Sequence, residues 1–85
     1  MENKKLKEIV FDKIMEVLEI KDGHIQMSLK NDLGIDSLEL INLIVCLEDF
    51  FNIEFTDDFL LQNRFDIIEN IVEEIISLIG DNYDK

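Results

Sequence analysis

Apolar side chains recur at intervals of three and four along most of this chain. Between about Asn3 and Ile20, the residues Leu6, Ile9, Val10, Ile14, Val17 and Leu18 form a stripe, while Lys4, Lys5, Glu8, Asp12, Glu16 and Glu19 fall elsewhere on the wheel. This is the pattern of a helix with one buried face. Lys21-Asp-Gly-His should stop it, with Gly23 free to turn left-handed. A loop of roughly twelve residues follows, long for a small domain, and Ile25, Met27, Leu29 and Leu33 can tuck inward to hold it. Ser28 is placed to cap a short turn within it.

A second helix is expected from the cap Asp36 through Phe51. Asp36 and Glu39 have the spacing of a capping box, and Leu40, Leu43, Ile44, Leu47 and Phe51 make the core stripe. Leu38, Asn42, Val45 and Asp49 lie on another face with Ile41 at its edge. That helix is either deeply buried or keeps apolar surface for a partner. Thr56-Asp57-Asp58 reads as the cap of one short turn through Leu61. Asp66 and Glu69 repeat the Asp-x-x-Glu spacing, with Phe65 as a staple, before a stripe of Ile67, Ile68, Ile71, Val72, Ile75, Ile76 and Ile79. Isoleucine favours strands, but paired apolar positions every three to four residues and the absence of alternation favour a helix. Gly80 should end it, leaving a frayed tail. The expected fold is all-α: a small four-helix bundle of three longer helices and one short one.

Composition supports this picture. Eighty-five residues, 47% hydrophobic, without proline and with three glycines, make one helical domain spanning 1–85. The N-terminus is charged and lacks the apolar core of a signal sequence. The longest purely apolar run, Leu43 to Leu47, is too short to cross a bilayer. A soluble, cytoplasmic, monomeric protein is expected.

Charge adds a direction. The formal net charge is −12. Residues 1–30 carry six acidic and six basic side chains, whereas residues 31–85 carry fourteen acidic and two basic. Such a field repels nucleic acid and anionic lipid and attracts basic protein surfaces.

Enzyme signatures are missing. There is no glycine-rich phosphate loop, and the spacing of Asp57 and Asp58 is not that of a calcium loop. The single histidine, His24, belongs to a loop far from the serine considered next. Cys46, midway along an apolar helix in acidic surroundings, reads as a small core residue rather than a thiolate. The chain is therefore not expected to be an enzyme. Ser37 remains. A serine in the first turn of a helix is commonplace for capping reasons alone, yet the free N–H groups and dipole there also favour a phosphate.

The stretch Asp32-Leu33-Gly34-Ile35-Asp36-Ser37-Leu38-Glu39 resembles the phosphopantetheine attachment motif of acyl carrier proteins. The resemblance continues through Leu43, Leu47, Glu48 and Phe51, into Ile53-Glu54-Phe55 and the Phe65-Asp66-x-Ile68-Glu69 start of the last helix. It implies a carrier whose Ser37 receives 4′-phosphopantetheine from coenzyme A through a magnesium-dependent phosphopantetheinyl transferase. The arm then holds an acyl or aminoacyl group as a thioester and shuttles it among loading and processing enzymes of fatty-acid, polyketide or nonribosomal peptide-type biosynthesis. Asp36 and Leu38 would flank the anchor. Glu39, Asn42, Val45, Glu48, Asp49, Asp57 and Asp58 would face partners with basic surfaces. Asn42 stands where fatty-acid carriers usually have an acidic residue, the turn at Thr56 lacks a frequent proline, and Asn63-Arg64-Phe65-Asp66 is unlike theirs. Acyl and aminoacyl or peptidyl cargo therefore both stay open. The reading from another class is an acidic helical interaction module that binds a basic protein without a prosthetic group.

Overall fold

In the computed structural model, residues 3–61 and 65–83 are described, and they form four helices: α1 (Asn3–Leu18), α2 (Ser37–Phe51), α3 (Asp57–Leu61) and α4 (Ile68–Tyr83). The all-α bundle with one short member matches the expectation from periodicity. Asn63 and Arg64 lie outside the described residues, as do Asp84 and Lys85.

The helix ends depart from the sequence reading in instructive ways. The first helix stops at Leu18 rather than Ile20, and Gly23 is not the residue that turns left-handed. Glu19 is, with φ 58°. The Glu19 N–H donates to the Glu16 carbonyl (3.2 Å) and the Ile20 N–H to the Met15 carbonyl (3.0 Å). These are the paired bonds of a Schellman closure, which normally places glycine where Glu19 stands. Asn52 performs the same task for α2 with φ 56°, its N–H donating to the Glu48 carbonyl. At the other end of the chain, Gly80 does not terminate α4, which runs on to Tyr83. A glycine inside a helix costs only about 1 kcal/mol, and the half-buried Leu78 and Ile79 beside it keep α4 packed.

The apolar stripes meet as their spacing requires. Val10 and Ile14 of α1, Leu43 and Leu47 of α2, and Ile68, Ile71, Val72 and Ile75 of α4 are fully buried together. The end of the bundle beside α3 is filled by rings. Phe55, Phe59 and Phe65 pack with centroids 5.2 to 5.7 Å apart, within the range where aromatic pairs attract beyond their burial. Phe65 thus belongs to this cluster rather than to a staple over an Asp66 cap. The loop between α1 and α2 is held by Leu29, which is buried, and by the half-buried Ile25, Met27 and Leu33.

Candidate functional site

The start of α2 is built by Asp36. Its backbone is extended (φ −88°, ψ 177°), its side-chain Oδ1 accepts the Glu39 N–H at 2.8 Å, and its carbonyl accepts the Leu40 N–H at 3.0 Å. A helix leaves its first N–H groups without intrahelical acceptors. Asp36 takes that of Glu39, so those of Ser37 and Leu38 point outward from the helix end. Ser37 is the first residue of α2 and is exposed. Gly34, with φ +64°, makes the turn that delivers the chain to the cap, and space around its Cα is open.

The face that α2 turns to solvent carries most of the residues expected to meet partners. Leu38 is 76% exposed, with Ile41 and Val45 following at helical spacing. Together with Glu39 and Asn42 they line a shallow groove beginning next to Ser37. Glu39, Asn42 and Asp49 are exposed, and so are Asp57 and Asp58 in the first turn of α3. Thr56 caps that turn as expected, its Oγ1 accepting the Phe59 N–H at 3.2 Å. Glu48 is different. It is half-buried, and its Oε2 accepts the Phe55 N–H at 3.0 Å.

Asp66 is the residue whose role the sequence did not reveal. The spacing to Glu69 suggested a cap for α4, but the Glu69 N–H donates to the Ile25 carbonyl (2.7 Å) and the Ile68 N–H to the Met27 carbonyl (3.1 Å). The loop satisfies the helix end, and the Asp66 carboxylate reaches back to the loop. Its Oδ2 accepts the Ser28 hydroxyl at 2.6 Å and its Oδ1 the Lys30 N–H at 2.9 Å. Ser28 is buried and does cap its own turn, its Oγ accepting the Asn31 N–H at 3.0 Å. Burial alone would raise the Asp66 pKa. The Ser28 hydroxyl, the Lys30 N–H, the Lys30 charge and the Leu29 N–H outweigh it and hold the carboxyl below the ordinary carboxylate value. A cavity of about 70 Å³ lies beside this contact, bounded by Leu29, Ile35, Leu40, Leu60 and Phe65. No sequence spacing links Asp66 to Ser28, because the two are 38 positions apart.

His24 is exposed in the loop, and Cys46 is half-buried within α2 as a free thiol. Among the described residues no group of three or more His, Cys, Asp or Glu could hold a metal ion. None of the described helices is long and apolar enough to cross a membrane.

Comparison with known proteins points to one family. A family model described as a phosphopantetheine attachment site matches residues 8–64, a stretch that contains Ser37. The acyl carrier protein of Phytoplasma mali is 38% identical over 84 residues, which cover 89% of this chain and 94% of that protein. The acyl carrier protein of Desulforapulum autotrophicum is 43% identical over 54 residues, 64% of this chain and 69% of its own length. That of Buchnera aphidicola is 37% identical over 73 residues, 78% of this chain and 86% of its own.

Proposed function

The chain belongs to the acyl carrier protein family, whose members are carriers rather than enzymes and bear a covalent 4′-phosphopantetheine, and from that premise we propose that Ser37 is its attachment point. The protein is then a monomeric carrier acting in the cytoplasm, which shuttles acyl or aminoacyl groups between enzymes of fatty-acid, polyketide or nonribosomal peptide-type biosynthesis. When bound, the arm supplies a terminal thiol that carries the cargo as a thioester on a flexible tether.

One observation carries this reading: Ser37 is exposed at the first position of a helix whose cap is already occupied elsewhere. Asp36 spends its Oδ1 on Glu39, so the Ser37 and Leu38 N–H groups stay available for phosphate oxygens, with the positive end of the α2 dipole behind them. A phosphodiester on Ser37 fits there without displacing any bond of the cap. Leu38 beside it offers apolar surface against which a partner can close.

The remaining residues supply recognition. Glu39, Asn42, Val45 and Asp49 run along the open face of α2, and Asp57 and Asp58 extend the acidic surface onto α3. Exposed charges of this kind contribute little each, so docking to basic surfaces of the transferase and processing enzymes is weak, fast and salt-sensitive. That suits a shuttle which must leave each partner.

The test is a mass measurement. Incubated with coenzyme A, magnesium and a broad-specificity phosphopantetheinyl transferase, the wild type gains the mass of one phosphopantetheine and Ser37→Ala gains none. A wild type that stays unmodified by a transferase competent on another carrier removes the proposal. It leaves the acidic interaction module, whose signature is a basic partner bound by the unmodified chain.

A further inference from the structure

The loop that delivers Ser37 is fastened to the start of α4 by the backbone bonds of Ile68 and Glu69 to Met27 and Ile25, and by Asp66. Asp66 holds three consecutive residues of that loop: the Ser28 hydroxyl and the Lys30 N–H by its carboxylate, and the Leu29 N–H by its own carbonyl at 2.8 Å. Ser28 is gripped from its other side as well, its N–H donating to Asp32 Oδ2 at 2.7 Å. The next link is a single bond away. The Leu29 carbonyl accepts the Ile35 N–H at 2.9 Å, and Ile35 immediately precedes the cap Asp36. The Asp66 main chain is thus connected to the residue before the cap through Leu29, whose side chain is fixed in the core, and the Asp66 carboxylate clamps Ser28 and Lys30 on either side of Leu29.

This relay matters because the connection between Leu18 and Ser37 has no helix of its own to stiffen it. The packing of α2 fixes the helix axis, but the approach of the chain to Ser37 depends on how the loop is pinned. Resting on the proposal that Ser37 is the attachment site, we infer that Asp66 is a positioning residue for its modification: through Ser28, Lys30 and Leu29 it sets the loop so that Ile35 and Asp36 present the Ser37 hydroxyl in one geometry to the transferase. The hydrogen bonds of Asp66 go to the loop at Ser28, Leu29 and Lys30, so its loss acts on the turnover of the docked complex rather than on encounter. A misplacement of about 1 Å in such a complex can cost up to about 100-fold in rate.

The experiment measures transferase kinetics with the full chain as the varied substrate, for wild type, Asp66→Ala, Asp66→Asn, Ser28→Ala and Ile79→Ala. The last lies about 17 Å along α4 from its start, by helical rise, and reports the effect of lost stability alone. Asp66→Ala removes the carboxylate bonds to Ser28 and Lys30 and keeps the backbone bond to Leu29, and is expected to lower kcat about tenfold with KM within about twofold. Ser28→Ala should fall between it and the wild type. Asp66→Asn should recover part of the loss, because its amide oxygen still accepts one of the two donors, and should show faster amide hydrogen exchange confined to residues 29–39. The inference is overturned if the kcat values of Asp66→Ala and Asp66→Asn match Ile79→Ala, or if the whole effect appears in KM. Should Asp66→Ala fail to fold, Asp66→Asn and Ser28→Ala decide the question by the same split. A wild type that gains no mass overturns the attachment reading and this inference with it, whereas a modified wild type with indifferent variants overturns only the inference.

Discussion

The Glu48 carboxylate accepts the backbone N–H of Phe55 at 3.0 Å, bridging the end of α2 to the segment that leads into α3. Phe55 is buried and anchors the three-ring cluster, so its N–H has little access to water. An acidic residue that reads in sequence as part of a docking surface therefore also closes the fold. Glu48→Ala leaves a buried donor unmet and should lose about 1–2 kcal/mol in urea unfolding, while Glu48→Gln, which keeps an acceptor oxygen, should lose less than half of that. Equal losses in the two variants would show that the charge of Glu48, not its bond to Phe55, is what stabilises the domain.

Asp36 combines a cap with a place beside the serine. Replacing it by alanine frees the Glu39 N–H and should cost about 1 kcal/mol of stability. The same change exposes a third unsatisfied N–H next to Ser37 and loosens the first turn, so modification of Ser37 should slow by more than an equally destabilising change in α1 would cause. Asp36→Asn and Asp36→Ser, both good caps, should restore the stability. Thermal unfolding and the rate of phosphopantetheine incorporation, measured on the same samples, check both halves.

Glu19 occupies a backbone region that glycine enters freely and other residues enter at a cost. Glu19→Gly should raise stability by about 0.5–1 kcal/mol, with α1 still ending at Leu18. An unchanged or lower midpoint would mean that the Glu19 side chain contributes as much at this position as its backbone strain removes.

What could be read from sequence was local, and what could not was tertiary. The helices were legible because residues three and four apart report one face, and Thr56 and Asp36 were legible as caps because cap and recipient are neighbours. Asp66 fits the same local rule, yet its carboxylate has better donors in Ser28 and Lys30, which only the folded loop brings near. Glu48 likewise looks like any other surface carboxylate until Phe55 is placed beside it. Gly23 and Gly80 misled for a complementary reason. Glycine permits a helix end but does not compel one, and the Schellman bonds at Glu19 together with the packing of Leu78 and Ile79 decided the matter instead.

The depressed pKa of Asp66 makes a signed prediction. Its carboxyl ionises more readily in the folded protein than in the unfolded chain, so the folded state is favoured while the group is charged. That contribution is complete above the ordinary aspartate value of about 3.9 and is lost as pH falls through the lower folded value. The difference in unfolding free energy between wild type and Asp66→Asn should therefore be constant from pH 7 to about pH 5, and shrink below about pH 4. A gap that stays constant down to pH 2 would mean that the Ser28 and Lys30 bonds do not depend on the charge of Asp66.

Net charge acts on the whole molecule with the opposite sense. Fourteen of the twenty carboxylates lie in residues 31–85 against two basic side chains, and among the described residues the one ion pair is Lys13 with Glu16, within α1. The acidic half thus carries an excess of twelve negative charges, fourteen less two, and the compact state gathers charges that the unfolded chain spreads apart. Raising ionic strength from about 0.01 M to 0.15 M shortens the screening length from roughly 30 Å to roughly 8 Å, which is less than the span of the bundle. The unfolding midpoint should rise by several degrees over that range in sodium chloride, since about 1 kcal/mol moves Tm by about 4–8 °C in a domain of this size. Glu73→Gln, which removes one exposed charge on α4, should raise the midpoint at low salt and flatten the response. A midpoint that does not move with salt would show that the carboxylates are already accommodated in the folded state, and that the acidic surface is free to serve docking without cost to stability.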